Sequence, residues 1–249
     1  MKKTNMAGQT AEYDYEASSY DESRFGNKIG RHLDYMHKKI VQDLNISGKL
    51  ILDAGTGTGR FATWLAKKGF EVIGVDLSPK MLKVARNKMK TLNADVGLIL
   101  ADLRYLPFKH GVFNGCVCIN VIDHLSDISN FLKNVNRVLK SDGCFIFNFS
   151  NILSPYLPIA LIVNFREKAL FKEGKIRSKW FTFKKMRIWL REAGFELKGI
   201  RGCMIASPLP LGDGFIKIVQ PINLLAESSQ LKFFSGSIFI KARPVLTMH

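Results

Sequence analysis

The spacing of apolar residues predicts alternating strands and helices through most of the chain. Compact apolar runs predict five strands, at 49–54, 71–76, 96–101, 112–119 and 144–149. Between these runs, apolar residues recur three and four positions apart, which is the period of an amphipathic helix. Such helices are predicted at 58–68, 78–90 and 127–140, and Ser78 is the predicted N-cap of the second. Near-continuous apolar strands separated by helices are typical of a parallel sheet that is covered on both faces.

The N-terminal part follows a different pattern. The first ~25 residues are rich in Tyr, Asp, Glu and Ser and show no sustained period. An amphipathic helix is predicted at 28–44, where apolar residues return at helical spacing. We therefore interpret residues 1–45 as a lid-like segment followed by a helix that covers the sheet.

The last third of the chain interrupts the alternation. Thr182 is a predicted helix cap, and strands are predicted at 195–203 and 231–242. The final strand follows without a full helical crossover, so it is most easily antiparallel. The segments 151–180 and 204–230 fit no period and are interpreted as substrate-side insertions into a single domain that spans 1–249.

The composition is that of a folded protein with a strong positive charge. Of the 249 residues, 47% are hydrophobic and 23% charged, which excludes disorder for most of the chain. The net charge of +16 favours acidic partners: nucleic acid, an anionic membrane surface or a negatively charged substrate. Residues 164–201 hold 12 Lys and Arg against 4 Glu and contribute half of this excess. Such a run is most often a solvated face.

The cysteines and the apolar segments favour a cytoplasmic protein without a bound metal. The four cysteines show neither CxxC pairing nor clustering, which argues against a zinc site and a disulfide framework. Cys116 and Cys118 share a strand face and are best explained as buried, inert thiols. The N-terminal residues lack the apolar core of a secretory signal. The most apolar stretch, 152–165, contains two prolines and is too short to span a bilayer.

A glycine-rich turn between the first predicted strand and its helix is the most informative segment. Gly55, Gly57 and Gly59 permit positive φ and let a ligand lie against the backbone at a helix N-terminus. A dinucleotide fingerprint would have its third glycine where Arg60 stands, and no Gly-Lys-Ser/Thr follows as in a P-loop. Asp53, just before the turn, repels a diphosphate but can hold an ammonium group directly or through water.

Acidic or amide side chains end the next three predicted strands. Asp76 follows Gly59 by 17 residues, where a doubly wound fold places a carboxylate that accepts hydrogen bonds from ribose hydroxyls. Asp102 ends the third strand and could meet the exocyclic amine of adenine, with Leu77, Met81 and Leu103 as apolar walls. Asn120 ends the fourth strand, at the edge where open α/β sheets bind ligands.

Together these motifs resemble the class I S-adenosylmethionine-dependent methyltransferases, in particular the group that includes ubiquinone and menaquinone biosynthesis enzymes. The resemblance covers about residues 11–150 and again 182–203. The segments that carry it are YDYEASSY (13–20), DAGTGTG (53–59), GVDLSPKML (74–82), ADLRYLPF (101–108), NVIDHL (120–125) and FLKNVNRVLKSDG (131–143). It implies a Rossmann-like, doubly wound sheet of seven strands, mostly parallel with one antiparallel strand and helices on both faces.

The resemblance also implies a set of cofactor contacts. Asp53, Gly55 and Gly57 would line the methionine moiety, and Asp76 the ribose. Leu77, Asp102 and Leu103 would line the adenine, and the backbone of Asn120 would meet the methionine amine. The full predicted set is Asp53, Ala54, Gly55, Thr56, Gly57, Asp76, Leu77, Met81, Ala101, Asp102, Leu103, Asn120 and Val121.

Several of these residues have simpler explanations. Asp76 could be only a charge at a helix N-terminus, and Asp102 could cap the turn toward Pro107. His124 could act as a general base on an acceptor hydroxyl. The stronger interpretation is that it only begins a helix, since the family commonly has a histidine there that the chemistry does not need. Asp123 could be no more than a cap.

The basic residues of 164–201 are compatible with two kinds of partner. An apolar stretch followed by cations is typical of a segment that seeks an anionic membrane surface. The contacts would come from Arg166, Lys168, Lys172, Lys175, Arg177 and Lys179. Nucleic acid is the competing partner, although the fourth strand lacks an Asn/Asp-Pro-Pro-Tyr/Phe motif and the chain has no Pro-Cys nucleophile.

The resemblance therefore implies methyl transfer by direct displacement, in which the protein contributes chiefly by holding both reactants in line. A small apolar or amphipathic acceptor, such as a lipid or quinone precursor, fits the apolar segments best. Two alternatives stay open: an RNA (tRNA) methyltransferase that uses the 164–201 surface, and a cofactor-bound scaffold without turnover.

Overall fold

A computed structural model describes residues 13–155, 157–158, 179–204 and 227–245. Within these ranges seven strands form one sheet. They are β1 (Leu50–Ala54), β2 (Glu71–Asp76), β3 (Gly97–Leu100), β4 (Phe113–Cys118), β5 (Leu139–Ser150), β6 (Phe195–Cys203) and β7 (Ser237–Pro244). The predicted insertions 151–180 and 204–230 lie outside the described residues except at their ends, and so do Arg166, Lys168, Lys172, Lys175 and Arg177.

The strand order confirms the predicted doubly wound sheet. The order is β3-β2-β1-β4-β5-β7-β6, and the strands from β1 to β5 pair in parallel. β7 lies between β5 and β6 and is antiparallel to both. Strands are added on one side of β1 up to β3 and on its other side from β4 onward, so the loops after β1 and β4 lie side by side at the carboxyl edge of the sheet, where such folds bind ligands.

Helices cover both faces of the sheet, and four of those described begin at a capping side chain. The helices are α1 (Tyr20–Phe25), α2 (Lys28–Asp43), α3 (Arg60–Lys67), α4 (Pro79–Leu92), α5 (Ile128–Val138) and α6 (Phe183–Glu192). Ser78 Oγ accepts a hydrogen bond from Met81 N (3.1 Å) at α4, and Thr182 Oγ1 accepts one from Lys185 N (3.2 Å) at α6. Both predicted caps are confirmed.

Three predicted elements were wrong in detail. β5 begins at Leu139 and not at 144, because the preceding helix already ends at Val138. The N-terminal segment, which shows no period, nevertheless forms the short helix α1. The last strand begins at Ser237 and not at 231, because Gln230–Phe234 forms a 3₁₀ helix. Ser229 Oγ caps this helix by accepting a hydrogen bond from Leu231 N at 3.2 Å. None of these changes alters the order of the sheet, and β7 is antiparallel as expected.

The core lies on both sides of the sheet because alternate residues of the central strands face opposite layers. Phe145 and Phe147 of β5 are fully buried on one face, under α5 and α6. Cys144 and Ile146 are fully buried on the other face, under α2 and α3. Cys116 and Cys118 are also fully buried, as predicted, and burial raises the pKa of both thiols well above the usual value. Among the described residues, no helix combines the length and the apolar character needed to cross a membrane.

Candidate active site

The glycine turn after β1 has the backbone that its sequence requires. Gly55, Gly57 and Gly59 all have positive φ, at 78°, 53° and 77°. A Cβ on Gly55 would lie 2.4 Å from Cγ2 of Val121, so the loop after β4 packs directly against this turn. The Gly55 and Thr56 amides donate hydrogen bonds to Val75 O at 2.8 and 2.9 Å, which fixes the turn to β2.

Asp53 organises the turn from below. It is only 2% exposed, and its Oδ2 accepts hydrogen bonds from Thr56 Oγ1 (2.7 Å) and Ala62 N (3.0 Å). The carboxylate thus joins the turn to α3. Burial raises the pKa of Asp53 to about 6, against the opposing effect of these two hydrogen bonds.

This raised pKa has a consequence for stability. Between about pH 4 and pH 6 the folded protein keeps a proton on Asp53 that the unfolded chain releases. The contribution of Asp53 to stability therefore falls as pH rises through this window, by at most about 1.4 kcal/mol per pH unit. We expect the melting temperature of Asp53→Asn, relative to wild type, to increase between pH 4.5 and pH 7. A difference that stays constant would show that Asp53 ionises near its ordinary pKa.

Asp76 links the glycine turn to the beginning of α4. Its Oδ2 accepts a hydrogen bond from Gly57 N (2.8 Å), and its Oδ1 accepts one from Ser78 N (2.9 Å). Burial raises its pKa, while the backbone hydrogen bonds oppose the shift. A carboxylate oxygen can accept more than one hydrogen bond, so both oxygens keep acceptor capacity for ribose hydroxyls.

A cavity opens above these residues at the carboxyl edge of the sheet. From the predicted set it is lined by Asp53, Gly55, Thr56, Gly57, Asp76, Leu77, Met81, Asp102, Leu103, Asn120 and Val121, together with His124. Two residues of the predicted set, Ala54 and Ala101, do not line the cavity. Ala54 is fully buried in the sheet, and Ala101 packs against the core. Their side chains face the core, so a cofactor contact of these two residues stays a prediction. Sequence reasoning missed Tyr13, Tyr20, Thr58, Arg60, Phe61, Ser78, Ile119 and Leu125.

Asp102 caps a turn and also lines the cavity. It caps the 3₁₀ helix Leu103–Tyr105 by accepting a hydrogen bond from Arg104 N (2.9 Å), and it forms an ion pair with the Arg104 side chain at 2.6 Å. Burial alone would raise the pKa of Asp102, but the hydrogen bonds and charge of Arg104 lower it. Asp102 also lines the cavity, so its contact with adenine stays a prediction.

His124 lines the cavity together with Tyr13. It does not begin a helix but ends the 3₁₀ helix Ile122–His124, and its ring meets that of Tyr13 edge-on at 5.8 Å. Burial lowers its pKa to about 4, and the positive charges of Arg24 and Lys179 add to this shift. The imidazole is therefore neutral at physiological pH and able to accept a proton, although only as a weak base.

Asp123 is not a helix cap. Its carboxylate accepts hydrogen bonds from Ser150 N (3.0 Å) and Ser150 Oγ (2.6 Å), and so ties the 3₁₀ helix after β4 to the end of β5. Burial raises the pKa of Asp123 to about 6.

The segment interpreted as a lid contacts the glycine turn. Asp21 accepts a hydrogen bond from Thr58 Oγ1 (2.6 Å) and forms an ion pair with Lys88 of α4. The Arg60 guanidinium lies over the Phe25 ring at 4.3 Å. Tyr13 and Tyr20 of the same segment line the cavity.

The charges around the cavity suit a cationic ligand better than a diphosphate. Among the described lining residues there are three carboxylates and one arginine, and no lysine. That arginine, Arg60, forms an ion pair with Asp34 of α2. A site for a diphosphate would need the opposite balance.

Comparison with known proteins agrees with this geometry. A family model described as a methyltransferase domain matches residues 52–147. An uncharacterized protein of Methanocaldococcus jannaschii is 30% identical, over 94% of this chain and 89% of the relative. Ubiquinone biosynthesis O-methyltransferase of Coxiella burnetii is 30% identical over 46% of this chain, which spans about half (49%) of that relative. Magnesium protoporphyrin IX methyltransferase of Synechocystis, solved with bound SAH, is 21% identical with a TM-score of 0.62, over 95% of this chain and 99% of the other.

The sheet order, the glycine turn and the strand-end carboxylates define a Rossmann-like protein that binds a nucleoside cofactor at its carboxyl edge. The chain belongs to the class I S-adenosylmethionine-dependent methyltransferases, and its cofactor is S-adenosylmethionine.

Proposed function

We propose that this methyltransferase modifies a small apolar or amphipathic acceptor, of the lipid or quinone-precursor type. One observation carries the proposal: part of the cavity wall is aromatic and apolar, formed by Tyr13, Tyr20, His124 and Leu125. The similarity to the Coxiella ubiquinone biosynthesis O-methyltransferase supports the same class of acceptor.

The residues of the cavity suit the cofactor and divide its recognition among them. S-adenosylmethionine supplies a methyl group on a sulfonium, which is already activated for transfer. Asp76 would accept hydrogen bonds from the ribose, Leu77, Met81 and Leu103 would enclose the adenine, and Asn120 would meet the methionine amine. The protein's main contribution is then to hold the acceptor in line with the methyl group. Neutral His124 could accept a proton from an acceptor hydroxyl, but no base is required of it.

The proposal is tested by incubating the protein with labelled S-adenosylmethionine and separate lipid, small-molecule and RNA extracts. We expect label in the organic-soluble fraction. Label found only in RNA would overturn the acceptor class and favour the RNA alternative, whose binding should weaken with salt. Tight cofactor binding without transfer to any fraction would instead favour the scaffold alternative.

We also propose that the acceptor is reached at an anionic membrane surface. A group of apolar and basic residues near the carboxyl end of β5, here called the rim, supports this proposal. The rim consists of Ile152, Leu153, Lys184, Lys185 and Phe234. The three segments that carry the rim are in contact through residues next to it. Ile152 N donates a hydrogen bond to Phe181 O (3.0 Å), and the rings of Phe183 and Phe233 lie 5.1 Å apart. Leu153 and Phe234 are 55% and 52% exposed, and exposed apolar groups beside cations suit lipid headgroups.

Vesicle co-sedimentation tests this rim. We expect binding that increases with anionic lipid and falls at least about tenfold in Lys184→Glu/Lys185→Glu, since each cation near the surface contributes about 1 kcal/mol. Lys67→Glu/Lys68→Glu changes the same charge at the C-terminal end of α3, away from the rim, and is expected to lose much less. Binding that ignores lipid charge, or equal losses in both variants, would contradict the proposal.

A further inference from the structure

Asn148 lies near the carboxyl end of β5, outside the cavity lining, yet contacts a residue of the cavity wall. It is 3% exposed. Its Oδ1 accepts a hydrogen bond from Asn120 N (2.7 Å), and its Nδ2 donates one to Asn120 Oδ1 (2.8 Å). The same Nδ2 donates a second hydrogen bond to Ser237 Oγ of β7 (2.8 Å). All polar atoms of the buried Asn148 amide are thus engaged, as a buried amide requires.

These two contacts hold Asn120 in an uncommon conformation. Asn120 has a φ of 61°, in the left-handed region that non-glycine residues seldom adopt. Asparagine tolerates this region better than most residues, but the conformation still costs free energy. The reciprocal amide hydrogen bonds offset that cost and fix the direction in which the chain leaves β4.

The backbone that Asn148 fixes continues directly to the glycine turn. Val121 follows Asn120 and packs so close to Gly55 that a Cβ there would overlap its methyl group. Asn120, Val121 and Gly55 all line the cavity. A shift of the 120–121 peptide would therefore move the wall on the side assigned to the methionine end of the cofactor.

We propose that Asn148 is a positioning residue for the amino-acid end of S-adenosylmethionine. It touches neither cofactor nor acceptor, and acts by orienting the Asn120 backbone toward the methionine ammonium group. The proposal rests on the placement of that ammonium beside Asn120. It predicts that losing Asn148 weakens recognition of the amino-acid part while sparing recognition of the adenosine part.

Two ligands separate these parts. S-adenosylhomocysteine and 5′-methylthioadenosine are both neutral at sulfur and share the adenosine, but only the first carries the ammonium and carboxylate. In calorimetry, Asn148→Ala is expected to weaken S-adenosylhomocysteine binding about tenfold, the effect of one or two lost hydrogen bonds. Binding of 5′-methylthioadenosine should change less than about twofold.

Two further variants guard against a general loss of structure. Asn120→Ala leaves the buried Asn148 in place and should reproduce the selective loss. Ser237→Ala removes a hydrogen bond of Asn148 but keeps both contacts with Asn120, so it should leave the ratio of the two affinities unchanged even where it lowers the melting temperature.

The outcomes are distinguishable. Equal weakening of both ligands in Asn148→Ala and Asn120→Ala, or unchanged binding of S-adenosylhomocysteine in both, would overturn the positioning role alone. A wild-type protein that binds neither ligand would overturn the cofactor placement, and this proposal with it.

Discussion

Asp76→Ala is expected to weaken S-adenosylmethionine binding about a hundredfold, because a carboxylate that accepts two ribose hydrogen bonds contributes roughly 1.5 kcal/mol through each. Burial increases the effect, since few other groups at this position can replace a charged acceptor. Calorimetry with wild type and variant measures it directly. Unchanged affinity would remove Asp76 from the ribose site.

The control must separate lost contacts from a disordered turn, because Asp76 also accepts hydrogen bonds from Gly57 and Ser78. Asp76→Asn keeps one acceptor oxygen and should lie between wild type and Asp76→Ala. Asp102→Asn alters the neighbouring strand-end carboxylate, which already pairs with Arg104, and should lose no more than about tenfold. Equal losses in Asp76→Ala and Asp102→Asn would argue for a general electrostatic effect.

Gly55→Ala is expected to destabilise the protein by roughly 2–5 kcal/mol. About 1–2 kcal/mol would come from placing an alanine at positive φ, and about 1–3 kcal/mol from overlap with Val121. For a chain of this length, the melting temperature should fall by roughly 5–15 °C. Cofactor affinity should fall as well, since the overlap pushes apart two walls of the same cavity.

Gly57→Ala is the matched control. Gly57 also has positive φ, but a Cβ there would meet no atom within 4 Å. It should lose only the backbone part, about 1–2 kcal/mol. The double variant Gly55→Ala/Val121→Ala should recover part of the loss, as expected for residues in contact. Equal destabilisation by Gly55→Ala and Gly57→Ala would show that Val121 can move aside without lowering the free energy of unfolding.

The sequence was most informative where structure depends on neighbours along the chain. The glycine turn, the caps at Ser78 and Thr182 and the strand ending in Asp76 are local patterns, and the structure has them where they were predicted. Parallel strands bring their carboxyl ends together, so strand-end residues could be expected to share one site.

Contacts between distant segments could not be predicted in this way. Nothing near Asn148 in the sequence marks it as the partner of Asn120, 28 residues earlier. Tyr13 and Tyr20 stand in a recognised motif, but their place in the cavity wall depends on how the N-terminal segment folds over the sheet. Ala54 does not line the cavity, since alternation along the strand turns its side chain into the core.

The position of β7 affects the order in which parts of the chain can fold during translation. This strand comes last among those described, yet it pairs with β5 on one side and β6 on the other. Until residues 237–244 have been synthesised, both neighbours expose unpaired backbone that could bind other nascent chains. We therefore expect the half of the fold built from β1 to β5 to form first, and chaperones to be needed longest at the site where β7 inserts.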